Sequence, residues 1–240
     1  MNWNKYLSDN KAPYGALAHL GVLNGEIGGI YDLSQLPKDA RNLSLSTPLK
    51  KSKLKYTNFS SLIGNDKIEA ISLNDIDEAR LSVFSTLPNL KYLQISNNQQ
   101  TEIPDLSCLK PVEVLILASI KKVENIDFVI GMKNLKTLYI YGITNLYDIT
   151  PIANLTTLEE LSLNHGKMSG TGKAIKGIEP LAELTNLHYL RLSLVVENKN
   201  YNITPLVKLK KLQELHLLPR YLDKGHKELL QKELPLLKEI

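Results

Sequence analysis

One short apolar motif returns along this 240-residue chain at intervals of 22 to 29 residues, and this repetition constrains the fold more than any other feature. The motif has the form L-x-x-L-x-L, as in the segments that begin at Leu90, Leu135 and Leu158. The first positions of nine aligned copies are Leu17, Ala40, Ile68, Leu90, Val112, Leu135, Leu158, Leu187 and Leu212. Regular self-similarity at this period indicates a repeat architecture in which each copy is one supersecondary unit.

The pattern inside each unit predicts its local structure. Alternating leucines send one set of side chains to a core and the intervening set to the opposite face, as in a short strand. An acidic or polar residue, an apolar residue and often proline follow, as in the segments from Tyr147 and Asn202. Proline restricts that part to extended or short 3₁₀ structure. No unit buries its leucines alone, so we expect an α/β solenoid arch with about nine short parallel strands on its concave face and irregular or 3₁₀ convex arcs.

These motifs resemble leucine-rich repeats of the short bacterial subclass, which occurs in internalins and in the SDS22-like phosphatase regulators. The resemblance covers residues 17–219 and implies the arch described above. The family usually carries an asparagine eight residues after the first leucine, where the side chain hydrogen-bonds the turn backbone. Asn98 fits this position, whereas Ile76, Ile120 and Ile143 occupy it in other units. We therefore expect less regular turns than in an internalin.

The two ends of the chain are expected to cap the solenoid, because terminal repeats would otherwise expose their leucines. Residues 1–16, which contain Trp3, Tyr6 and Tyr14, are the expected N-terminal cap. Residues 220–240 have helix-like spacing of Leu229, Leu230 and Leu234 and are the expected C-terminal cap helix. Together with residues 17–219 they form a single domain.

Composition favours a cytoplasmic protein, and the abundance of Lys, Asn and Ile is typical of bacteria. The single cysteine, Cys108, suits a reducing compartment. The first residues show no basic region followed by an apolar core, so we expect no signal peptide. No run of apolar residues is long enough to cross a bilayer, and the net charge of +4 alone indicates neither nucleic acid nor a membrane partner. We expect a monomer without membrane association.

Motifs for catalysis, metals or cofactors are weak, and we expect no enzyme activity, no metal and no cofactor. Cys108 lies between core leucines and is interpreted as a small packing residue. The five histidines lack the spacing of zinc ligands. The Gly/Lys loop at 166–177 lacks the first glycine and the Ser/Thr of a phosphate-binding loop. We interpret it as an insertion, more mobile than its flanking repeats over Ser169–Lys176.

Two alternative functions remain open at this point. One is an enzyme that handles a phosphate-bearing ligand through the 166–177 loop and His165. The other is RNA binding through the lysine-rich insertion at 48–62, although the acidic residues that follow it make nucleic acid an unlikely partner. Either insertion could also contact a protein partner.

The side chains between the core leucines predict a protein-binding surface on the concave face. The stretch from Val112 to Ala118 is apolar on both faces of its strand, which places Ile116 at the centre of a groove with Tyr92 and Tyr139 beside it. Aromatic, apolar and arginine side chains are typical of interface hot spots. The candidate partner-binding residues are Tyr92, Gln94, Val114, Ile116, Ala118, Tyr139, Tyr141, Glu160, Asn164, Tyr189, Arg191, Glu214 and His216. In the alternative interpretation, the strand is buried on both faces because the arch is tightly curved or because a loop folds over Ile116.

We therefore expect a non-enzymatic module that binds a protein partner on its concave face. The resemblance implies an adaptor, an enzyme regulator or an immunity protein that neutralises a toxin. The sequence does not identify the partner.

Overall fold

The computed structural model describes Leu23, residues 25–165, residues 172–238 and Ile240. The repeated motifs form eight parallel strands in one sheet, in the same order as in the chain. The strands are β1 (Asn42–Leu45), β2 (Ala70–Leu73), β3 (Tyr92–Ser96), β4 (Val114–Ala118), β5 (Thr137–Tyr141), β6 (Glu160–Asn164), β7 (Tyr189–Ser193) and β8 (Glu214–Leu217). The predicted α/β solenoid arch is confirmed.

The connections between strands are mostly short 3₁₀ helices. They span Leu33–Gln35, Lys50–Ser52, Phe59–Leu62, Leu106–Cys108, Asp127–Val129, Thr150–Asn154, Glu179–Glu183, Glu197–Lys199, Leu206–Lys208 and Pro219–Tyr221. Two α-helices complete the described part of the chain, α1 (Glu78–Phe84) and α2 (His226–Glu233). Neither has the length and apolar character that crossing a bilayer requires.

The core is a stack of leucines from successive units. Leu138 of β5 pairs in register with Leu115 of β4 and Leu161 of β6, and all three are fully buried. Leu93, Leu190 and Leu215 occupy the same position in other strands and are also buried. The predicted inward direction of these leucines is confirmed.

The turn after β3 shows why Asn98 matters. Its side-chain amide donates to the Asn74 carbonyl at 2.7 Å, and its side-chain oxygen accepts from the Gln100 backbone N–H at 2.8 Å. In other units an isoleucine stands at this position, and Ile76 and Ile120 are fully buried. Apolar packing therefore replaces the turn hydrogen bonds in those units.

The first edge of the described sheet differs from the sequence frame. The frame placed Leu20 beside Leu43 of β1, but the bridge to Leu43 is formed by Ile27. The Ile27 N–H donates to the Asn42 carbonyl at 2.9 Å, and the Ser44 N–H donates to the Ile27 carbonyl at 2.8 Å. In the described part of the chain, Ile27 thus occupies the edge position beside Leu43, and Leu20 lies outside the described residues. The expected cap at 1–16 lies outside the described residues.

The C-terminal cap combines α2 with the segment that precedes it. Leu230 and Leu234 are buried against the last units, whereas Leu229 is 41% exposed, so its predicted role in the cap is wrong. Tyr221 fills the remaining space: it is fully buried, and its hydroxyl donates to the Leu194 carbonyl at 3.1 Å. The cap is thus built by a tyrosine and one face of a short helix.

Candidate protein-binding surface

The parallel register places the side chains between the core leucines in three columns across the concave face. Ile116 lies between Gln94 and Tyr139 in the middle column, and Val114 lies between Tyr92 and Thr137 in the first. The expected neighbour Tyr139 is confirmed, whereas Tyr92 is one column away from Ile116. The thirteen candidate partner-binding residues all lie on strands β3 to β8, on this face.

The centre of this face is buried, which corrects the expectation of an open apolar groove. The concave cluster, as we call it, is separate from the leucine core and is almost inaccessible to solvent, with Ile116 0% exposed. It consists of Leu23, Ala70, Tyr92, Val114, Ile116, Tyr139 and Tyr189. Gln94, Ala118 and Glu160 beside it are buried too. The alternative interpretation, in which β4 is buried on both faces, therefore describes the arrangement of this strand.

The polar groups next to the concave cluster form internal hydrogen bonds. The Tyr92 hydroxyl donates to Gln94 Oε1 at 2.9 Å, and Gln94 Nε2 donates to Ser96 Oγ at 2.7 Å. Thr137 Oγ1 donates to Glu160 Oε2 at 3.2 Å. Burial raises the pKa of the Tyr92 phenol, and the nearby charge of Glu26 acts in the same direction. Tyr92 is therefore a neutral donor inside the protein and not a surface contact.

One accessible part of the concave face lies toward the C-terminal end of the arch; another consists of small polar residues near its first strands. The residues at the C-terminal end are partly exposed and combine an aromatic ring, an amide and charged groups; we call them the C-terminal patch. They are Tyr141, Asn164, Arg191, Glu214 and His216. The His216 ring lies 5.5 Å from the Tyr189 ring, which in turn lies 6.2 Å from the Tyr139 ring. This aromatic row connects the C-terminal patch to the concave cluster.

Two residues outside the candidate partner-binding set bear on this surface: Leu23, which the motif frame placed on the concave face, and Glu26, which it did not identify. Leu23 is a member of the concave cluster although it lies outside strands β1 to β8. Glu26 lies close enough to Tyr92 for its charge to affect the phenol. The motif frame could not identify Glu26, because it assigns no inward or outward position to residues between the strand and the next unit.

The described end of the Gly/Lys insertion is packed. Ile175 is fully buried and forms a bridge with Val196, and the Lys176 N–H donates to the Tyr147 carbonyl at 2.9 Å. The ammonium of Lys173 lies 5.5 Å from the centre of the Tyr147 ring. An apolar side chain therefore anchors the described end of the insertion at residues 172–176. Residues 166–171 lie outside the described residues, and the greater mobility of Ser169–Lys176 stays a prediction.

Gly172→Ala is expected to lower the free energy of unfolding by about 1–3 kcal/mol. A Cβ at Gly172 would lie 2.2 Å from two ring atoms of His165, which is itself 1% exposed and has little room to move. Urea denaturation of the purified protein measures the loss. Gly28→Ala is the control, since its Cβ would meet Ser44 only at 3.4 Å. Equal stability of the two variants would contradict this, because it would show that Gly172 can move away from the His165 ring without a cost in unfolding free energy.

The lysine-rich insertion at 48–62 is tied to the arch through Tyr56. The Tyr56 hydroxyl donates to the Ser46 carbonyl at 3.1 Å, and its ring lies 5.2 Å from that of Tyr31. Burial raises the pKa of Tyr56 to about 12. The leucines at the tip of the insertion are exposed, Leu49 at 81% and Leu54 at 47%. This arrangement offers apolar contacts as well as lysine charges.

The other groups with reactive side chains are dispersed. Cys108 is partly exposed in a 3₁₀ helix, and burial raises the pKa of its thiol, which disfavours the nucleophilic thiolate. In residues 23, 25–165, 172–238 and 240, no three His, Cys, Asp or Glu side chains converge as metal ligands would.

Comparisons with known proteins agree with this architecture. A family model described as "leucine-rich repeat region" matches residues 67–239. An internalin from Listeria monocytogenes, InlF, aligns with a TM-score of 0.54 and 24% identity over 85% of this chain and 60% of its own. Internalin C2 of the same species aligns with a TM-score of 0.49 and 25% identity over 78% of this chain and 75% of its own. A leucine-rich repeat protein from Leptospira interrogans aligns with a TM-score of 0.48 and 20% identity, over 86% of this chain and 55% of its own.

The chain thus spans about 60% of the length of the InlF structure that it resembles. Among curated proteins, no sequence matches significantly. The family model covers most of the chain, including all strands from β2 to β8. The chain therefore belongs to the leucine-rich repeat family.

Proposed function

We propose that this protein is a non-enzymatic, monomeric module that binds a protein partner on the concave face of its arch, within the cytoplasm. Its role would be that of an adaptor, an enzyme regulator or a toxin-immunity protein. One observation carries the proposal: the parallel register aligns non-core side chains from eight strands on one face. Such a surface can contact a partner over many strands at once, as the concave surfaces of solenoids do.

The C-terminal patch is the part of this face best suited to the first contact. Tyr and Arg side chains are enriched in interface hot spots, and Tyr141 and Arg191 are partly exposed. Arg191 and His216 are register neighbours on β7 and β8, with Glu214 one column away. Charged groups of both signs at the edge of an apolar region favour specificity and fast association. The concave cluster would contribute to binding only after it is uncovered.

Arg191→Glu is expected to weaken partner binding by at least about 2 kcal/mol, or roughly 30-fold in Kd. The reversed charge would oppose the partner's complementary groups at the centre of the C-terminal patch. The partner would be captured from cells of the native organism, identified and purified, and its affinity for both forms measured by calorimetry. Thermal denaturation of the variant checks that the fold is intact.

Lys208→Glu provides the matched control. Lys208 is exposed and ends the 3₁₀ helix Leu206–Lys208, outside the sheet, so the same reversal of charge should leave the affinity unchanged. If Arg191→Glu folds and binds with parental affinity, the partner uses another surface. The insertion at 48–62, with its exposed Leu49 and Leu54, would then be tested next.

A further inference from the structure

A pocket of about 600 Å³ opens beside the last two strands, outside the sheet. Its walls come from the connection that follows β7 and from the chain between β8 and the first residue of α2. None of its nine described lining residues belongs to a strand or to the candidate partner-binding set. The volume lies within the range of about 300–1,000 Å³ that is typical of small-molecule sites. The pocket can therefore hold a ligand independently of the concave surface.

Cationic side chains dominate this pocket. Lys199, Arg220 and Lys224 line it, whereas Asp223 is the single carboxylate among the described lining residues. With His226 neutral, the lining has a net charge of +2, which is half of the net charge of +4 of the whole chain. A concave site with such a concentration of positive charge attracts anions.

The three cations are not neutralised by ion pairs. In the described part of the chain, no Asp or Glu side chain lies within ion-pair distance of Lys199, Arg220 or Lys224. Glu197 precedes Lys199 by two residues, but its carboxylate accepts from the Tyr147 hydroxyl at 3.0 Å. An anion that enters the pocket therefore does not have to break an existing ion pair.

Aromatic rings hold Arg220 in place. Its guanidinium lies 6.0 Å from the centre of the Tyr201 ring, and its Nη1 donates to the Tyr201 hydroxyl at 3.3 Å. The Tyr201 ring in turn packs edge-to-face, at 4.7 Å, on the ring of the fully buried Tyr221. The guanidinium is thus ordered before a ligand arrives, which lowers the entropy cost of binding. Its fork of N–H groups matches the geometry of phosphate oxygens.

Both lysines of the pocket have an unusual backbone conformation. Lys199 has a φ of 56° and Lys224 a φ of 61°, in the left-handed region that residues other than glycine seldom adopt. Asn198, directly before Lys199, has a φ of 55° as well. Residues held in this region cluster at ligand-binding sites. Backbone strain and positive charge therefore coincide at one pocket.

Other lining residues contribute neutral polar groups and an apolar wall. His226 Nδ1 lies 3.0 Å from the Tyr221 carbonyl, which can only accept, so Nδ1 carries a proton and the ring is fixed to the cap. Asn202 Oδ1 accepts from the Thr204 N–H at 3.0 Å, which leaves the NH₂ group of Asn202 as a donor for a ligand. Val195 supplies an apolar contact. A few polar groups on a partly apolar wall are typical of sites that bind an organic ligand.

We propose that this pocket binds a small molecule that carries a phosphate monoester. Such a group has a charge of about −1.5 to −2 at neutral pH, which complements the net charge of +2 of the lining. It presents three acceptor oxygens, so Arg220 can bind two of them while a lysine binds the third. A carboxylate has only two oxygens and a single charge, and it would leave part of the positive charge uncompensated. No described residue of the 166–177 loop lines the pocket.

NMR titration of the full-length, ¹⁵N-labelled protein tests the proposal. The probes are inorganic phosphate, glucose 6-phosphate and adenosine monophosphate, added at constant ionic strength with chloride as the reference anion. At least one of the two monoesters is expected to shift the backbone amide signals of residues 198–202 and 220–226 saturably, with a Kd below about 1 mM. Absence of saturable shifts with both monoesters would overturn the proposal. Binding of inorganic phosphate with the same affinity would also overturn it, because the pocket would then recognise an adventitious ion only.

Arg220→Gln is expected to raise the Kd of the bound monoester at least about tenfold, because it removes hydrogen bonds between two charged groups. Arg220→Lys keeps the charge but loses the fork, so its Kd should lie between those of the parent and Arg220→Gln. Lys208→Gln is the matched control, since Lys208 is exposed and is not among the lining residues; its Kd should equal that of the parent. Equal Kd values for Arg220→Gln and Lys208→Gln would place the phosphate elsewhere and contradict the assignment.

A second variant covers the case in which loss of the Arg220 contact with Tyr201 disturbs the cap, which thermal denaturation would reveal. Lys224→Gln removes one charge at an exposed position and should raise the Kd about threefold, in the range of a solvent-exposed ion pair. An unchanged Kd in this folded variant would contradict the proposal. The proposed function is judged separately, by Arg191→Glu, because no residue of the pocket belongs to the C-terminal patch.

Discussion

Leu138→Ala is expected to lower the free energy of unfolding by about 2–5 kcal/mol. Leu138 is fully buried and lies in register between Leu115 and Leu161, in the middle of the sheet. A cavity at this position has stacked units on both sides. Collapse of one unit into the cavity would disturb the pairing of the next, so relaxation can recover only part of the lost contact energy. Urea denaturation followed by circular dichroism measures the change.

Leu49→Ala is the control for the same loss of side-chain volume. Leu49 is 81% exposed at the tip of the insertion, so its truncation should change stability by no more than about 0.5 kcal/mol. A cost for Leu138→Ala as small as that of the control would mean that β5 does not pack on its neighbours. The register of the three concave columns would then be wrong as well.

The sequence predicted the arch because the repeat period and the alternation of apolar residues within each strand indicate the same structure in every unit. Leu115, Leu138 and Leu161 recur at one position of the motif, and a position that is apolar in every copy has only the shared core as its destination. Neighbouring units then fix the register. Local pattern and tertiary packing agree, so the strands and the direction of their core-facing side chains could be predicted from the sequence.

The state of the concave face could not be predicted in the same way. The apolar character of Val114 and Ile116 is compatible with an exposed hot spot and with a covered strand, since both present apolar side chains away from the core. Which one occurs depends on long-range packing: Ile116 is buried in a cluster that includes Leu23, about ninety residues earlier in the chain. Such packing leaves no periodic signal. The motif frame at Leu17 placed Leu23 on the concave face but gave no indication that it belongs to the same buried cluster as Ile116.

The C-terminal cap was predicted in outline but not in its side chains. Helical spacing identified Leu230 and Leu234 correctly, and Leu229 incorrectly, because a helix that covers the end of a solenoid buries only one narrow face. Tyr221 escaped notice because it precedes the helix by five residues and fits no repeat position. Its burial depends on the shape of the last unit and not on a local pattern.

Tyr221→Ala is expected to cost about 3–5 kcal/mol of unfolding free energy, the range for removal of a buried aromatic side chain. Tyr221 is fully buried between the last units and the cap, with its ring 4.7 Å from that of Tyr201 in an edge-to-face arrangement. A solenoid depends on its terminal caps because the end units have a neighbour on one side only. The loss should therefore appear first as faster hydrogen exchange in β7 and β8, before global unfolding.

Tyr221→Phe separates the ring from the hydroxyl. The hydroxyl donates to the Leu194 carbonyl at 3.1 Å, and its removal leaves that buried acceptor without this donor, at a cost of about 1 kcal/mol. The ring contact with Tyr201 is retained. Tyr221→Ala should therefore have a clearly lower free energy of unfolding than Tyr221→Phe, and this difference should account for most of the effect of Tyr221→Ala. If the two variants were equally destabilised, the hydrogen bond would dominate and the ring would not fill the end of the arch. If Tyr221→Ala were near neutral, α2 alone would cap the last unit through Leu230 and Leu234.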